Sequence, residues 1–171
     1  MDYRYFTIAA AAALSFATPA IAAPVPATAD ASGKAILLIP LTLTKIDDLD
    51  FGTMISESSS GTVSLDASNS SRLFAGGVTG VTSAVGHRAY FGGAGSPGQQ
   101  VIVTISAPAT LANSNGDKIT VLALTQDGSP IRTIDPVART FFVGIGGILM
   151  LGANQPDGDY SANFSVTAQY Q

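Results

Sequence analysis

The chain has 171 residues and a formal net charge of −4, and only 12% of its residues are charged. An ordinary domain carries about 25% charged residues, and no run of lysine or arginine provides the electrostatic footprint that nucleic-acid binding requires. The chain contains no cysteine, which excludes a disulfide framework, so stability must come from the apolar core and from main-chain hydrogen bonds.

The first residues predict a secretory signal peptide over residues 1–22. Arg4 gives a short charged start, and residues 6–16 are apolar and rich in alanine. Small residues then stand at the two positions that a signal peptidase recognises, Ala20 and Ala22, and the apolar stretch is too short to span a bilayer. We expect cleavage after Ala22, with Ala23 as the second choice, and export to the periplasm, the cell surface or the medium.

The rest of the chain is expected to form a leader and one domain. Residues 23–34 begin with a stretch rich in Pro, Ala and Ser that has few groups to bury, which is typical of a flexible leader. Residues 35–171 contain short alternating apolar runs separated by turn residues, with no helical periodicity of useful length. About eight or nine strands in one domain predict an all-β, antiparallel β-sandwich.

Two apolar segments are expected to lie in the core. Residues 35–44 (AILLIPLTLT) are the first predicted strand, and the continuous apolar run at residues 36–39 suggests burial on both faces. Pro40 cannot donate a ladder hydrogen bond, so it implies an edge, a bulge or a switch between sheets. Residues 143–151 are the most hydrophobic stretch of the mature chain, and we interpret them as a core strand interrupted by glycines.

The final predicted strand, residues 159–171, alternates between polar and apolar residues up to the end of the chain. We expect Phe164 and Val166 to be buried, with Val103 and Val121 beside them. The apolar positions of the final strand share one face, and they are Tyr160, Ala162, Phe164, Val166, Ala168 and Tyr170.

The end of the chain resembles the subunits of chaperone–usher pili. Those subunits finish with an alternating strand, a penultimate aromatic residue and a glycine fourteen residues from the end. Tyr170 is penultimate here, and Gly158 is the fourteenth residue counted back from Gln171. The motif carried by this strand, which we treat as a candidate interaction site, consists of Gly158, Tyr160, Phe164, Val166 and Tyr170.

The chain more closely resembles a family of secreted bacterial proteins, the domain of unknown function numbered forty-four-zero-two. The resemblance covers roughly residues 35–171, and it implies an immunoglobulin-like, fimbrial-type sandwich at the bacterial cell surface, with no catalytic residues and no cofactor. Its pattern is carried in order by residues 49–52 (LDFG), 61–63 (GTV), 143–147 (VGIGG), 158–161 (GDYS) and 164–167 (FSVT), up to Tyr170.

Two features depart from the pilus pattern. Typical pilus subunits carry a disulfide, and they carry an N-terminal extension whose alternating apolar residues fill the groove of the next subunit. In this chain the alternating positions between Val25 and Ala31 have little apolar area. Residues 36–43 would be a better donor by composition, although their position suits the domain's own first strand. The partners we expect are other copies of the chain or envelope proteins.

No residue pattern indicates catalysis or a metal centre. His87 is the only histidine, and its place beside Arg88 is more typical of a surface or turn residue than of a catalytic base. Most zinc and iron sites need more than one histidine or cysteine ligand, and this chain has one histidine and no cysteine. Asp48 and Asp50 could supply oxygen ligands to calcium. The alternative is that they are simply the solvated positions opposite Leu49 and Phe51.

The favoured hypothesis is therefore a non-enzymatic structural or adhesion-type protein of the bacterial envelope, with a sheet edge as its working surface. The alternative is a secreted or periplasmic ligand-binding sandwich, for example a carbohydrate-binding module, which should display an aromatic platform. Tyr90, Phe91, Phe141 and Phe142 are the adjacent aromatic pairs available for such a platform. A hydrolase is the weakest of the three hypotheses.

Overall fold

The computed structural model of the protein describes residues 28–171. The predicted signal peptide and its cleavage site lie outside these residues. The chain divides after Ala35 into two units, and the structure describes residues 28–35 of the first and the whole of the second, Ile36–Gln171. In the first unit, residues 28–35 are exposed and have no regular secondary structure. Every strand of the described residues lies in the second unit.

Residues 28–171 contain ten β-strands and no helix, and every strand pairing is antiparallel. The prediction of an all-β antiparallel fold is thereby confirmed. In chain order the strands are β1 (Thr42–Asp47), β2 (Met54–Leu65), β3 (Arg72–Gly80), β4 (Ala89–Ala94), β5 (Gln100–Ser106), β6 (Thr110–Ala112), β7 (Lys118–Gln126), β8 (Ile131–Thr133), β9 (Thr140–Leu151) and β10 (Ser165–Tyr170).

The larger sheet has seven strands organised around β9. Its main path runs β1-β4-β9-β2-β3, and β7 also pairs with β9 and carries β6 on its other side. Ile145 pairs with both Ala89 of β4 and Gln126 of β7, so β4 and β7 lie on opposite sides of β9. This central position explains why β9 has the most continuous burial of any strand in the structure.

The glycines of β9 permit close approach of the chain rather than interrupting the strand. A Cβ atom on Gly146 would lie 2.1 Å from the carbonyl oxygen of Leu65, and one on Gly144 would lie 2.3 Å from that of Ala67. The absence of side chains lets the β2–β3 connection cross directly over β9. The core strand predicted at residues 143–151 is therefore confirmed, and it starts three residues earlier, at Thr140.

The smaller sheet has three strands in the order β10-β5-β8. β10 pairs with β5 without a break in register, from Ser165 opposite Ser106 to Tyr170 opposite Val101. The strand begins at Ser165 rather than at residue 159, so the predicted final strand was too long. β5 ends at Ser106, the partner of Ser165, so no residue of β5 lies beside residues 159–164, and Ser161 instead exchanges main-chain hydrogen bonds with Ala112.

The apolar core is divided into two clusters. The first, which we call the inter-sheet cluster, draws side chains from both sheets, and its buried members are Ala89, Val101, Val103, Ile134, Phe141, Val143 and Ile145. The second, which we call the single-sheet cluster, has as its buried members Phe51, Val63, Leu65, Val78, Ile119, Leu149 and Leu151. Among the described residues, the single-sheet cluster takes no buried member from β5, β8 or β10. The smaller sheet thus covers only part of the larger one.

The first predicted strand is wrong in its N-terminal half. β1 begins at Thr42, and residues 36–39 belong to no strand. Burial on both faces was expected there, yet Ile36 is 71% exposed and Leu37 98% exposed. The physical reason is the length of the neighbouring strand: β4 ends at Ala94, the partner of Thr42, so residues 36–39 have no strand beside them.

Candidate interaction surface

The last strand of the chain has an open edge. β10 pairs with β5 on one side, and among residues 28–171 no strand pairs with its other side. The N–H of Gln171 donates to the carbonyl oxygen of Gln100 at 3.0 Å. Because main-chain groups alternate in direction along an antiparallel strand, the N–H and C=O groups of Val166 and Ala168 point away from β5. They are available to another strand.

The other edges carry features that hinder pairing with a further strand. β1 contains Lys45 and Asp47 and a shift in register between them. β6 and β8 have only three residues each, and β8 includes Arg132. β3 carries Arg72 and bends at Gly76, where φ is 72°. Charges, short length and bulges are the usual protection of sheet edges. β10, with the sequence SVTAQY, has no charge, no proline and no register shift.

The side chains of β10 face the core as the alternation predicts. Val166, Ala168 and Tyr170 are half-buried and pack against the inter-sheet cluster, while the residues between them are exposed. Phe164, just before the strand, also packs there, with its ring edge-on to Phe91 at 6.3 Å between centroids. None of these four side chains is fully buried, because an edge strand has a neighbour on one side only.

The two partners expected beside them differ in burial. Val103 is fully buried in the inter-sheet cluster, whereas Val121 is half-buried and packs against the single-sheet cluster. The sequence correctly indicates which faces point inward. It does not show that these residues are shared between two clusters.

The five motif residues separate into two groups. Phe164, Val166 and Tyr170 follow β10 along the inter-sheet cluster. Tyr160 packs against the single-sheet cluster, and Gly158 lies in the same loop. The only main-chain hydrogen bonds of residues 157–164 within the described structure are the two that Ser161 exchanges with Ala112. This loop therefore crosses from one cluster to the other with most of its backbone unpaired.

A cleft of about 780 Å³ opens over the single-sheet cluster, where the smaller sheet does not reach. Its lining includes the loop that contains Gln155 and Tyr160 and also residues 49–56, and the two segments meet where the N–H of Gln155 donates to the hydroxyl of Ser56 at 3.1 Å. The cleft also touches Phe164, so it begins beside the first residue of β10. Its apolar lining includes Leu49, Met54, Leu111, Val121, Leu149 and Leu151.

The far end of β10 is fastened to the start of the domain. The hydroxyl of Tyr170 donates to the carbonyl oxygen of Ile39 at 2.8 Å and accepts from the N–H of Ser96 at 2.7 Å. The N–H of Ile39 donates to the hydroxyl oxygen of Ser96 at 2.8 Å. The three residues form a closed set of hydrogen bonds that fixes Ile39 at the opposite end of β10 from the cleft.

The aromatic pairs considered for a ligand platform are divided between two faces. Phe141 is buried and Phe91 half-buried, both against the inter-sheet cluster. Tyr90 and Phe142 lie on the outer face of the larger sheet and stack with 5.6 Å between centroids and 6° between planes. Phe142 is 49% exposed, so one stacked pair is available at the surface. The guanidinium of Arg88 lies 4.8 Å from the centroid of the Tyr90 ring.

The residues considered for catalysis or calcium have local partners. The main chain of His87 exchanges hydrogen bonds of 2.8 and 2.9 Å with Asp50. The carboxylate of Asp48 forms an exposed ion pair of 2.6 Å with Lys45. The carboxylate of Asp50 accepts from the N–H of Gly52 at 2.7 Å. In the part of the chain that the structure describes, no group of three or more His, Cys, Asp or Glu residues is arranged to hold a metal ion.

A turn between the sheets has one electrostatically distinct carboxylate. The N–H groups of Ala138 and Val137 donate to Asp135 at 2.7 and 2.8 Å. In order of effect, these two bonds hold the pKa of Asp135 below its usual range, because they stabilise its charged form.

No helix within residues 28–171 has the length and apolar character needed to cross a membrane.

Residues 41–170 match the family described as Domain of unknown function (DUF4402), so the chain belongs to that family. The match begins just before β1 and ends with β10, and thus includes both clusters, the cleft and the open edge. No curated protein and no solved structure gives a significant match.

Proposed function

We propose that the protein is a non-enzymatic, exported structural or adhesion-type component of the bacterial envelope. Its fold is an immunoglobulin-like, fimbrial-type sandwich that associates through sheet edges with other copies of itself or with envelope proteins. The observation that carries the proposal is the open edge of β10, which has neither charge nor proline nor a register shift to prevent pairing.

Strand addition at this edge has a clear physical basis. The outward main-chain groups of Val166 and Ala168 are already extended and held in register by β5, so a partner strand would add hydrogen bonds without reorganising the domain. Charged residues are scarce in the chain as a whole, which leaves little electrostatic repulsion between approaching copies. The proposal assigns no catalytic residue.

A proline substitution tests the edge directly. Ala168→Pro removes an N–H that points away from β5, so the domain should still fold. Sedimentation velocity should then show weaker self-association than in the wild-type mature protein. Thr167→Pro is the matched control, since its N–H points towards β5 and its loss should destabilise the fold. Wild-type protein that stays monomeric at high micromolar concentration, and that captures no envelope protein, would overturn the proposal.

The second candidate function is carbohydrate binding, and the stacked pair of Tyr90 and Phe142 favours it. An exposed aromatic face can pack against the apolar face of a sugar ring. Phe142→Ala should abolish binding to a glycan array if the pair is the platform, whereas Leu122→Ala, at another exposed position, should leave binding intact. Equal binding by both variants, or no binding by the wild type, would exclude this function.

A further inference from the structure

The free main-chain groups of β10 have a symmetric arrangement. The N–H and C=O groups of Val166 and Ala168 point away from β5, and by the same alternation those of Tyr170 do so too. Within residues 28–171 no strand pairs with this side of β10. Ala168 lies midway between the other two residues, so the pattern of donors and acceptors reads the same when the strand is rotated by half a turn about Ala168. The edge is therefore complementary to a second copy of itself.

A two-fold axis through Ala168 uses every one of these groups. In an antiparallel sheet, opposite residues of a hydrogen-bonded pair exchange both of their N–H···O=C bonds. With the axis at Ala168, this residue pairs with its own copy, and Val166 pairs with the partner's Tyr170. Moving the axis to Thr167 would instead set Tyr170 opposite the partner's Phe164, which precedes the strand. The free groups of the edge thus favour the axis at Ala168.

The side chains of this pairing are compatible on both faces of the sheet. On the core-facing side Val166 lies opposite the partner's Tyr170, and a β-branched residue beside an aromatic ring is a favourable cross-strand pair. Both residues are only half-buried, so a strand added at the open edge has apolar surface left to cover. On the outer side Thr167 lies opposite the partner's Gln169, and both are exposed and uncharged. No like charges oppose each other along the pair.

We propose that two copies of the protein pair through β10, in antiparallel orientation and about a two-fold axis at Ala168. This inference rests on the proposed association through sheet edges, and it names the partner and the register. The contact joins the small sheets of the two copies into one continuous sheet, in the order β8-β5-β10 and then the partner's β10-β5-β8. Because both copies use the same surface, the contact is isologous and closes at the dimer. It differs in this from strand donation, which is heterologous and continues from subunit to subunit.

Engineered cysteines test the register, because the chain has none of its own. With the axis at Ala168, Thr167 and the partner's Gln169 form a non-hydrogen-bonded pair whose Cα atoms lie about 4.5 Å apart, within the range of a disulfide. Mixing Thr167→Cys with Gln169→Cys, one of them carrying a mass tag, under mild oxidation should give mainly the 167–169 mixed dimer. The matched control mixes Thr167→Cys with Thr104→Cys, which is also exposed but lies on β5, one strand in from the edge. The control should give far less mixed dimer.

Sedimentation equilibrium supplies an independent measurement. The average mass of the mature wild-type protein should rise with concentration and level off at the mass of a dimer. Ala168→Pro should raise the dissociation constant of this dimer by about tenfold or more, since it removes both hydrogen bonds at the axis.

The outcomes separate this inference from the proposed function. Assemblies larger than a dimer, a main product linked 167–167, or equal yields in the test and the control would show that the copies associate in another way. The inference would then be wrong while the edge proposal survives. A wild type that stays monomeric but captures an envelope protein contradicts the inference alone. A wild type that stays monomeric and captures none contradicts both.

Discussion

The hydroxyl of Tyr170 donates a hydrogen bond of 2.8 Å to the carbonyl oxygen of Ile39, across 131 positions of the sequence. It joins the penultimate residue of the chain to the residue before Pro40, three positions ahead of the start of β1 at Thr42. The same hydroxyl accepts from the buried Ser96, so one aromatic side chain holds three separated segments together. A penultimate aromatic residue therefore has a structural reason to be a tyrosine rather than a phenylalanine.

Tyr170→Phe should lower the free energy of unfolding by about 1–3 kcal/mol. The substitution keeps the ring in the inter-sheet cluster but leaves the N–H of the buried Ser96 without its acceptor, which has the cost of an unsatisfied buried donor. Urea denaturation followed by circular dichroism measures the change. Tyr90→Phe serves as the control, because its hydroxyl takes no part in this set. Equal stability of the wild type and Tyr170→Phe would mean that the three hydrogen bonds do not form.

Phe164→Ala should destabilise the domain by about 1–3 kcal/mol. A fully buried phenylalanine costs about 3–5 kcal/mol when truncated to alanine, but Phe164 is only half-buried and loses correspondingly less. Its edge-on contact with Phe91 is part of the loss. Denaturant midpoints at constant slope measure the change. The same substitution at the outward-facing Phe142 should cost less, and the reverse order would contradict the assigned facing of the two residues.

Gly146→Ala should be among the most damaging single-methyl additions in the chain. The new Cβ would lie 2.1 Å from the carbonyl oxygen of Leu65, and because that atom belongs to the backbone of β2, the sheet itself must shift. Overpacking of this kind costs about 1–3 kcal/mol or more. Gly152→Ala is the matched control, since its Cβ would meet only the end of the Gln155 side chain at 3.3 Å. Similar thermal midpoints for the two variants would refute the close crossing.

The sequence allowed the class of fold and the direction of the side chains to be predicted, because alternation depends only on local geometry. It indicated β9 from its composition and the inward face of β10 from its period of two. It failed at residues 36–39, where apolar character suggested a core strand. Whether an apolar run is buried depends on the strand beside it, and here β4 ends before it can provide one.

The candidate site was only partly accessible from the sequence. The motif residues on β10 were identified, but the cleft was not, since it results from a mismatch in the size of the two sheets. No local pattern encodes the number of strands in each sheet. The unprotected edge of β10 could have been recognised from the absence of charge in SVTAQY, although its position at an edge depends on strand order.

Asp135 provides a prediction about pH. Because the N–H groups of Ala138 and Val137 bind its charged form, its pKa in the folded protein lies below the usual aspartate value of about 3.9. A carboxyl group whose pKa is lowered by folding stabilises the fold above its unfolded pKa. This contribution disappears as the pH falls through the lower, folded pKa.

The carboxyl chemical shift of Asp135, followed by NMR from neutral to acid pH, should therefore titrate below the usual value. In Asp135→Asn the turn keeps an acceptor oxygen but has no proton to gain, so stability should depend less on pH in this acid range than in the wild type. A titration midpoint at or above the usual aspartate value, or an unchanged acid dependence in Asp135→Asn, would show that these two hydrogen bonds do not persist in solution.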